Sequence, residues 1–357
     1  MDLLPAPNLA DDQILRIVAG LRPCRRGGLR LEAETLDGGA GGGRKTIVHN
    51  YGHGGCGVTI GFGCAHLAAD LAQQALGEPP GAAGDVAART QTGRRLSPIA
   101  VLGAGVIGLT TALELLRRGH GVTLYAERSG LDTTSALAGA LWLPTGVEFD
   151  ASRAQIEQFT GIVRRSRDIL TALDRQQWGI QRLPVFEPRP GDPAYEAEAA
   201  RFAEIGAIDP PRTLDRLPLP GPPRAGIRYE TEFLHTPRFL RALAGEVNRR
   251  GGRLVPRRFD STAEIAALPE PALINCLALG SRALFGDDAM YPARGALVHM
   301  RPQPLGYCLH DGYWYVFPRE DALILGGSFE PDIWDPSPDN DTARAILARH
   351  RAFFNAQ

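Results

Sequence analysis

Several features that would narrow the function of this chain are missing. Cysteine is sparse: Cys24, Cys56, Cys64, Cys276 and Cys308 are odd in number, widely spread and form no CxxC pair. That argues against a disulfide framework and favours reduced thiols in a cytoplasm. Net charge is almost absent. With 39 Lys and Arg against 40 Asp and Glu, the formal charge of -1 gives no reason to expect nucleic acid or an anionic membrane as partner. The apolar run Ser97 to Leu113 is shorter than the roughly 20 residues a spanning helix needs, and it carries three glycines. The opening "MDLLPAPNLADDQ" has neither a basic region nor an apolar one, so no secretory signal is expected. No internal repeat is visible, and no cluster of His, Cys and carboxylate residues marks a catalytic constellation.

What remains is ordinary in bulk and unusual in detail. A chain of 357 residues, 44% apolar and 22% charged, has enough core for two domains. "LGEPPGAAGDVAARTQTGRRLSP" (Leu76 to Pro98) has no apolar period and reads as a linker. Before it, Cys64 to Leu76 reads as a helix with Leu67, Leu71 and closely packing alanines. "TPRFLRALAGEVNRRGGRLVPRRF" reads as a helix closed by Gly251-Gly252 and then a strand. "PALINCLALGS" reads as a buried strand and turn, and "GYWYVFPREDALILGGSF" as two strands joined at Arg319-Glu320-Asp321. Residues 150 to 225 are proline-rich and give no clear pattern.

The strongest local motif is Gly103-Ala104-Gly105-Val106-Ile107-Gly108. It follows the apolar strand Ile99 to Leu102 and opens a Leu- and Ala-rich helix. A second strand, Val122 to Tyr125, leads to Glu127 some 20 residues on. This is the context of a dinucleotide fingerprint. Gly103 makes the tight turn, Gly105 lets the backbone approach a pyrophosphate, and Gly108 lets helix and strand pack closely. The helix N-terminus offers N–H groups to phosphate, and Glu127 can accept from a ribose diol.

A second glycine-dense stretch, "IVHNYGHGGCGVTIGFG" (Ile47 to Gly63), precedes the first. His49 and His53 stand four apart, as zinc ligands on a helix do. Gly52, Gly54 and Gly55 make a helix there implausible and no third ligand is near, so no metal is expected.

Taken together, "VLGAGVIGLTTAL", "VTLYAERSGLDTTSALAGALWLP", "LINCLALGS", "YPARGALV", "GYWYVFP", "LILGGSF", "GLRPCRRGGLRLE" and "IVHNYGHGGCGVTIGFGCAHLAADL" resemble the D-amino-acid oxidase family of FAD enzymes, which includes D-aspartate oxidase. The order differs. In that family the GxGxxG strand begins the chain, and the "GLRP" and "HNYGHGG" stretches end it. Here Gly20 to Pro23 and His49 to Gly55 come first, so the chain reads as a circular permutant. The new termini are expected to fall in a helical stretch joining Ala343–Phe354 to Asn8–Gly20.

The resemblance implies an α/β fold: a Rossmann-type FAD-binding domain plus an α+β substrate domain with a mixed antiparallel sheet. It allots residues 44–76, 97–148 and 226–286 to the FAD-binding domain. Residues 1–43, 149–225 and 287–357 go to the substrate domain, with 77–96 as the permutation linker.

The resemblance also implies site residues. Against a non-covalent FAD it sets Gly54, Gly55, Gly57, Val58 and Thr59, then Gly103, Gly105, Val106, Ile107 and Gly108. It adds Glu127, Arg128, Thr133, Thr134, Ser135, Gly139, Ala140, Leu141 and Phe259. Arg22 matches the family's carboxylate-binding arginine and Tyr315 the tyrosine whose hydroxyl meets the same carboxylate. The Gly55 carbonyl is expected to accept from the substrate amine. The implied reaction is hydride transfer from substrate Cα to flavin N5. It gives an imino acid, then a 2-oxo acid and ammonia, with oxygen reduced to hydrogen peroxide.

Departures touch the substrate pocket most. Only Gly312-Tyr313-Trp314 separates "CLHD" from "YVFP", where relatives carry a longer lid, so Tyr313 or Trp314 is expected to take part of its role. Leu143 stands where a glutamine is frequent, and Cys56 replaces an aromatic residue. The expected partners are an amino acid and oxygen, with the protein a monomer or homodimer. Alternative substrates are glycine, an acidic D-amino acid or a cyclic imino acid. A flavin-binding protein without turnover is the reading outside enzymes. A nicotinamide-dependent dehydrogenase leaves the Gly52 to Thr59 turn unexplained.

Overall fold

The computed structural model describes residues 3–37, 44–78, 96–148, 152–188, 193–312 and 314–354. The strands, in chain order, are β1 (Ile14–Arg25), β2 (Arg30–Leu36), β3 (Lys45–Tyr51), β4 (Ile99–Ala104), β5 (Val122–Ser129), β6 (Ile180–Glu187), β7 (Arg212–Leu214) and β8 (Gly226–Leu234). They continue with β9 (Arg253–Pro256), β10 (Ala272–Asn275), β11 (Met290–Met300), β12 (Cys308–Asp311), β13 (Trp314–Pro318), β14 (Leu323–Gly326) and β15 (Glu330–Pro331). The longer helices are α1 (Gly57–Ala75), α2 (Val106–Arg117), α3 (Arg153–Thr171), α4 (Pro193–Glu204), α5 (Thr236–Arg249) and α6 (Asn340–Phe354).

These strands form two sheets. The six-stranded sheet has the order β2-β3-β10-β4-β5-β9. All four residues of β10 are buried, and the strand pairs in parallel with β3 on one side and β4 on the other. A continuous apolar strand is what a position covered on both faces requires. The nine-stranded sheet has the order β1-β11-β14-β13-β12-β6-β8-β7, with β15 on β11, and is mostly antiparallel. The chain is thus α/β, with a Rossmann-type sheet beside a mixed, largely antiparallel one.

Helix α1 crosses the six-stranded sheet between α2 and α3. Its alanines at 65, 68, 69 and 72 are fully buried. A methyl group on Gly63 would lie 2.2 Å from the Ile162 carbonyl oxygen of α3, and one on Gly61 would lie 3.3 Å from Thr110 Oγ1 of α2. The glycines allow both neighbours to approach closely. They also explain why the helix begins at Gly57, seven residues before the sequence reading starts it.

The structure draws two of the expected boundaries differently. β2, assigned with residues 1–43 to the substrate domain, runs antiparallel to β3 at the edge of the six-stranded sheet, with Arg30 opposite Tyr51. β8, assigned with residues 226–286 to the cofactor side, pairs with β6 in the nine-stranded sheet. Each joins its hairpin or sheet neighbour because a row of unpaired backbone groups is costly. Ahead of β1, Asp11–Gln13 forms a single 3-10 turn rather than a helix. Most of the expected linker, residues 79–95, lies outside the described residues. Among those described, no helix is long and apolar enough to cross a membrane.

Candidate active site

A cavity of about 670 Å³ opens between the two sheets. It is large enough to hold most of a dinucleotide-sized ligand or a cofactor with a small substrate. Three groups of backbone and side chains build it.

The first is the turn after β4. Gly103 has φ +105°, and a methyl there would lie 2.5 Å from the Cys276 carbonyl oxygen. A methyl on Gly108 would lie 2.0 Å from the Gly103 carbonyl oxygen. Only glycine fits either place. Gly105 caps α2 with no side-chain bond, the first turn of α2 holds no acid, and Ser135 Oγ accepts from the Val106 N–H at 3.1 Å. Among the described residues the Ile107 and Gly108 N–H groups meet no acceptor, which leaves them to a ligand. Uncompensated donors at a helix N-terminus suit phosphate. Thr133 donates to the Gly130 carbonyl at 2.8 Å, which fixes its hydroxyl oxygen at the cavity wall. Glu127, exposed at the end of β5, and Arg128 stand at the cavity edge.

The second is the turn after β3. Gly52 and Gly54 have φ of +87° and +54°. A methyl on Gly54 would lie 1.9 Å from the Gly146 carbonyl oxygen. The Gly54 N–H donates to the Pro23 carbonyl and the Gly55 N–H to the Gly146 carbonyl, both at 3.0 Å. Those two donors hold the turn, so they are spent on the protein. Gly57 and Val58, which open α1 with no acid in its first turn, line the cavity. Thr59 Oγ1 donates to the Leu143 carbonyl at 3.1 Å and ties α1 to the far wall. Cys56 is buried, its thiol directed to the His53 carbonyl, and burial pushes it up to about 12, so it stays a neutral thiol away from the cavity. His49 spends Nε2 on Glu34 at 2.8 Å and Nδ1 on Asn275 at 3.1 Å. His53 is buried with no partner for Nε2 among the described residues, and burial alone pushes it down to about 4, so it stays neutral.

The third is one face of the nine-stranded sheet. Arg22 on β1 donates to the Ser328 carbonyl at 3.1 Å and lies 5.8 Å from the Phe329 ring. Tyr315 on β13 is buried and hydrogen-bonded to Arg22; burial raises its hydroxyl above the ordinary range, with Arg22 opposing. Three glycines make room for these side chains and for Phe317, and two of them, Gly295 and Gly326, are not singled out by the sequence. A methyl would sit 2.2 Å from Arg22 Nη1 at Gly295, 2.1 Å from Tyr315 Cζ at Gly326, and 2.5 Å from Phe317 Cδ2 at Gly139, which also lines the cavity. Tyr315 stacks on Phe317 with ring centroids 4.2 Å apart.

Of the residues expected in the site, all those described line this one cavity except Phe259 and Trp314. Phe259 is instead in a small core against Tyr125, 6.2 Å between centroids. Tyr313 lies outside the described residues. Trp314 alternates to the opposite face, stacking on His350 of α6 at 4.7 Å, and takes no part. The reading missed His310, Glu187, Tyr229 and Phe202, which complete the wall. Their signal was weak: three single polar or aromatic residues on separate strands, brought together by register, and one aromatic on α4.

The glycine cradles, the open helix N-termini and the hydroxyls of residues 133–135 fit an adenine dinucleotide with its pyrophosphate at α2 and its ring system at α1. Comparison with known proteins agrees. Residues 98–357 match the family model described as "DAO: FAD dependent oxidoreductase". The chain is 30% identical over 268 residues to a D-amino-acid oxidase of Streptomyces coelicolor, covering 70% of this chain and 76% of that protein. It is 29% identical over 274 residues to a D-amino-acid oxidase of Rubrobacter xylanophilus, covering 72% and 77%. Among solved structures it resembles a glycine oxidase from Geobacillus kaustophilus, with TM-score 0.53 at 20% identity, covering 71% of this chain and 77% of that one.

Proposed function

We propose a substrate and a reaction from one premise: the chain belongs to the D-amino-acid oxidase family of FAD dependent oxidoreductases. It is an amino-acid oxidoreductase with FAD as cofactor. The proposed substrates are D-amino acids and the proposed products an imino acid, hydrolysed to a 2-oxo acid and ammonia, and hydrogen peroxide. FAD, when bound, supplies the two-electron acceptor for the hydride leaving Cα and hands the electrons to oxygen.

The observation that carries this reading is the meeting of Arg22 and Tyr315 beside the Gly54–Gly55 turn. Gly55 has no side chain, and Arg22 Cδ stands 4.0 Å from where a methyl would be. A planar guanidinium there can grip an α-carboxylate through two parallel bonds, with the Tyr315 hydroxyl donating to the same group. The Gly55 carbonyl is assigned to the α-amine. Three fixed points on one carbon set which face its hydrogen presents, which is how orientation selects an enantiomer. The chemistry needs no side-chain base when the amine arrives neutral, and the buried wall excludes water from the transfer. The Gly57 and Val58 N–H groups and the α1 N-terminus are assigned to the negative charge that two-electron reduction places on the cofactor's ring system.

The reading is tested by recording the visible spectrum of the purified protein and then peroxide release against matched D- and L-amino acids and glycine. D-selective peroxide supports it. A flavin that no amino acid bleaches without oxygen sinks the oxidase and leaves a flavin-binding protein; turnover of glycine alone transfers the protein to a glycine-oxidase type.

We also propose that the chain is a circular permutant of its family's order. The family match leaves out everything before residue 98, yet residues 14–75 supply β3, interior to one sheet, and β1, paired along its full length with β11. A chain rearranged to begin at Ser97, with the present ends joined by a flexible linker, is expected to fold and retain FAD. Failure to do so with linkers of several lengths sinks the idea.

A further inference from the structure

The face of the nine-stranded sheet that carries Tyr315 continues past it in a row. Tyr315 on β13 is the register partner of His310 on β12. β12 runs parallel to β6, with Leu309 beside Phe186, which sets Glu187 next to His310. β6 in turn pairs with β8, where Tyr229 stands. At about 4.8 Å per strand, Glu187 lies two strands, or about 10 Å, from the Tyr315 position. All four residues line the cavity.

Glu187 is buried, with 7% of its side chain exposed. Its Oε1 accepts from the Tyr229 hydroxyl at 2.6 Å and from His310 Nδ1 at 3.1 Å. Both bonds go to one oxygen. Oε2 accepts none among the described residues. Both neighbours meet the same oxygen, so the lone pairs of Oε2 remain for a ligand. A second carboxylate, Glu198 on α4, lines the same end of the cavity. The arginines of the cavity, Arg22 and Arg128, belong to the carboxylate anchor and to the nucleotide end. A buried carboxylate with an open oxygen is costly unless something positive or strongly donating meets it.

We propose that this end of the cavity is a subsite for a cationic side chain: the substrate is a D-amino acid ending in an ammonium or guanidinium group, held by Glu187. The inference rests on the D-amino-acid reading above, with the α-carboxylate at Arg22 and Tyr315. From that anchor a side chain runs over His310 and its stacked partner Phe317, an apolar and aromatic floor suited to a methylene stem. The spacing of two strands matches a long side chain and leaves a short one, such as that of alanine, without a contact at Glu187.

The test uses the FAD-loaded protein and a ligand pair that cannot be oxidised. 6-Aminohexanoate and hexanoate share the carboxylate and stem and differ in the terminal cation. Titrations followed by the flavin spectrum are expected to show 6-aminohexanoate binding roughly tenfold or more tightly, the range of one charged hydrogen bond. Glu187→Gln, which keeps an acceptor for Tyr229 and His310, is expected to abolish that preference. In turnover, the kcat/KM ratio of D-lysine to D-norleucine is expected to fall by a similar factor in the variant. Equal binding of the two carboxylates by the unsubstituted protein overturns the inference, as does a D-norleucine preference, and does so even if Glu187→Gln fails to fold. If either result comes with oxidation of D-alanine, the oxidase reading stands and only the subsite falls. If no carboxylate perturbs the flavin and no D-amino acid is oxidised, both fall.

Discussion

Two strand–turn–helix units stand on either side of β10 and face the same cavity, and they solve different problems. In β4–turn–α2, Gly103 and Gly108 close the turn upon its own strand and upon Cys276, and Ser135 takes one donor at the helix start, the Val106 N–H. In β3–turn–α1, the glycines face outward from their own unit. Gly54 packs on Gly146 and bonds Pro23, while Gly55 bonds Gly146. The first turn is a local device that any nucleotide-binding sheet can carry. The second is clamped between segments from both sheets, so its position reports the whole assembly. A phosphate tolerates some freedom in its donors. A hydride donor and acceptor do not, and the clamped turn is the one assigned to the reacting ring.

That contrast can be broken most forcefully at Gly54. Gly54→Ala puts a methyl 1.9 Å from a carbonyl oxygen at positive φ, and we expect destabilisation by more than about 3 kcal/mol and loss of FAD. Gly55→Ala meets only ordinary contacts, 3.6 Å at closest, and should retain the cofactor. The ratio of flavin to protein absorbance in the two purified variants decides. Equal, full loading of both would remove the clamp from the account.

Arg22→Ala should spare the cofactor and lower kcat/KM by roughly a hundredfold or more, the loss of a paired, charge-assisted grip. Tyr315→Phe should cost roughly tenfold, one hydroxyl on the same carboxylate. Comparable rates in Arg22→Ala would place the anchor elsewhere.

The second turn alone carries a titratable residue. His53 drops from 6.5 to about 4 in the folded protein, so the unfolded chain takes up the proton first as pH falls. Stability from this residue is full above pH 6.5 and is lost as pH falls through about 4, a span of about 3 kcal/mol. His299 and His350, also pushed down to about 4 by burial, act in the same direction. Denaturant unfolding across that window should show a shallower decline in His53→Gln; an unchanged slope would exclude His53 as a contributor.

The smallest effect is expected at Thr59→Ala, which removes the bond to the Leu143 carbonyl across the cavity. It should cost about 1 kcal/mol in urea unfolding, with the cofactor retained.

The same contrast explains what could be read from residues alone. The β4–α2 unit was legible because strand, glycines and helix lie within a short stretch and obey local rules. The β3–α1 turn meant nothing by spacing; only resemblance gave it a role. The membership of β2 and β8 in their sheets escaped reading, because pairing is decided by partners far along the chain. So did Gly295 and Gly326, whose purpose is the space left for Arg22 and Tyr315. The Glu187–His310 pair joins residues 123 apart. Trp314 was misplaced for a simpler reason: neighbours on a strand face opposite ways, and Tyr315 holds the cavity side.

Strand β1 lies with its full length against β11, Ile14 opposite Met300. Seen as an event in synthesis, this pairing has a waiting time. At about 5–20 residues per second, β1 emerges and stands unpaired for roughly 15–60 s before its partner exists. During that interval the carboxylate anchor Arg22 rides on an open edge, the kind of edge that recruits strands from other chains. The edge stays open until β11 has been made, and the substrate site is completed only when β13 with Tyr315 has followed it.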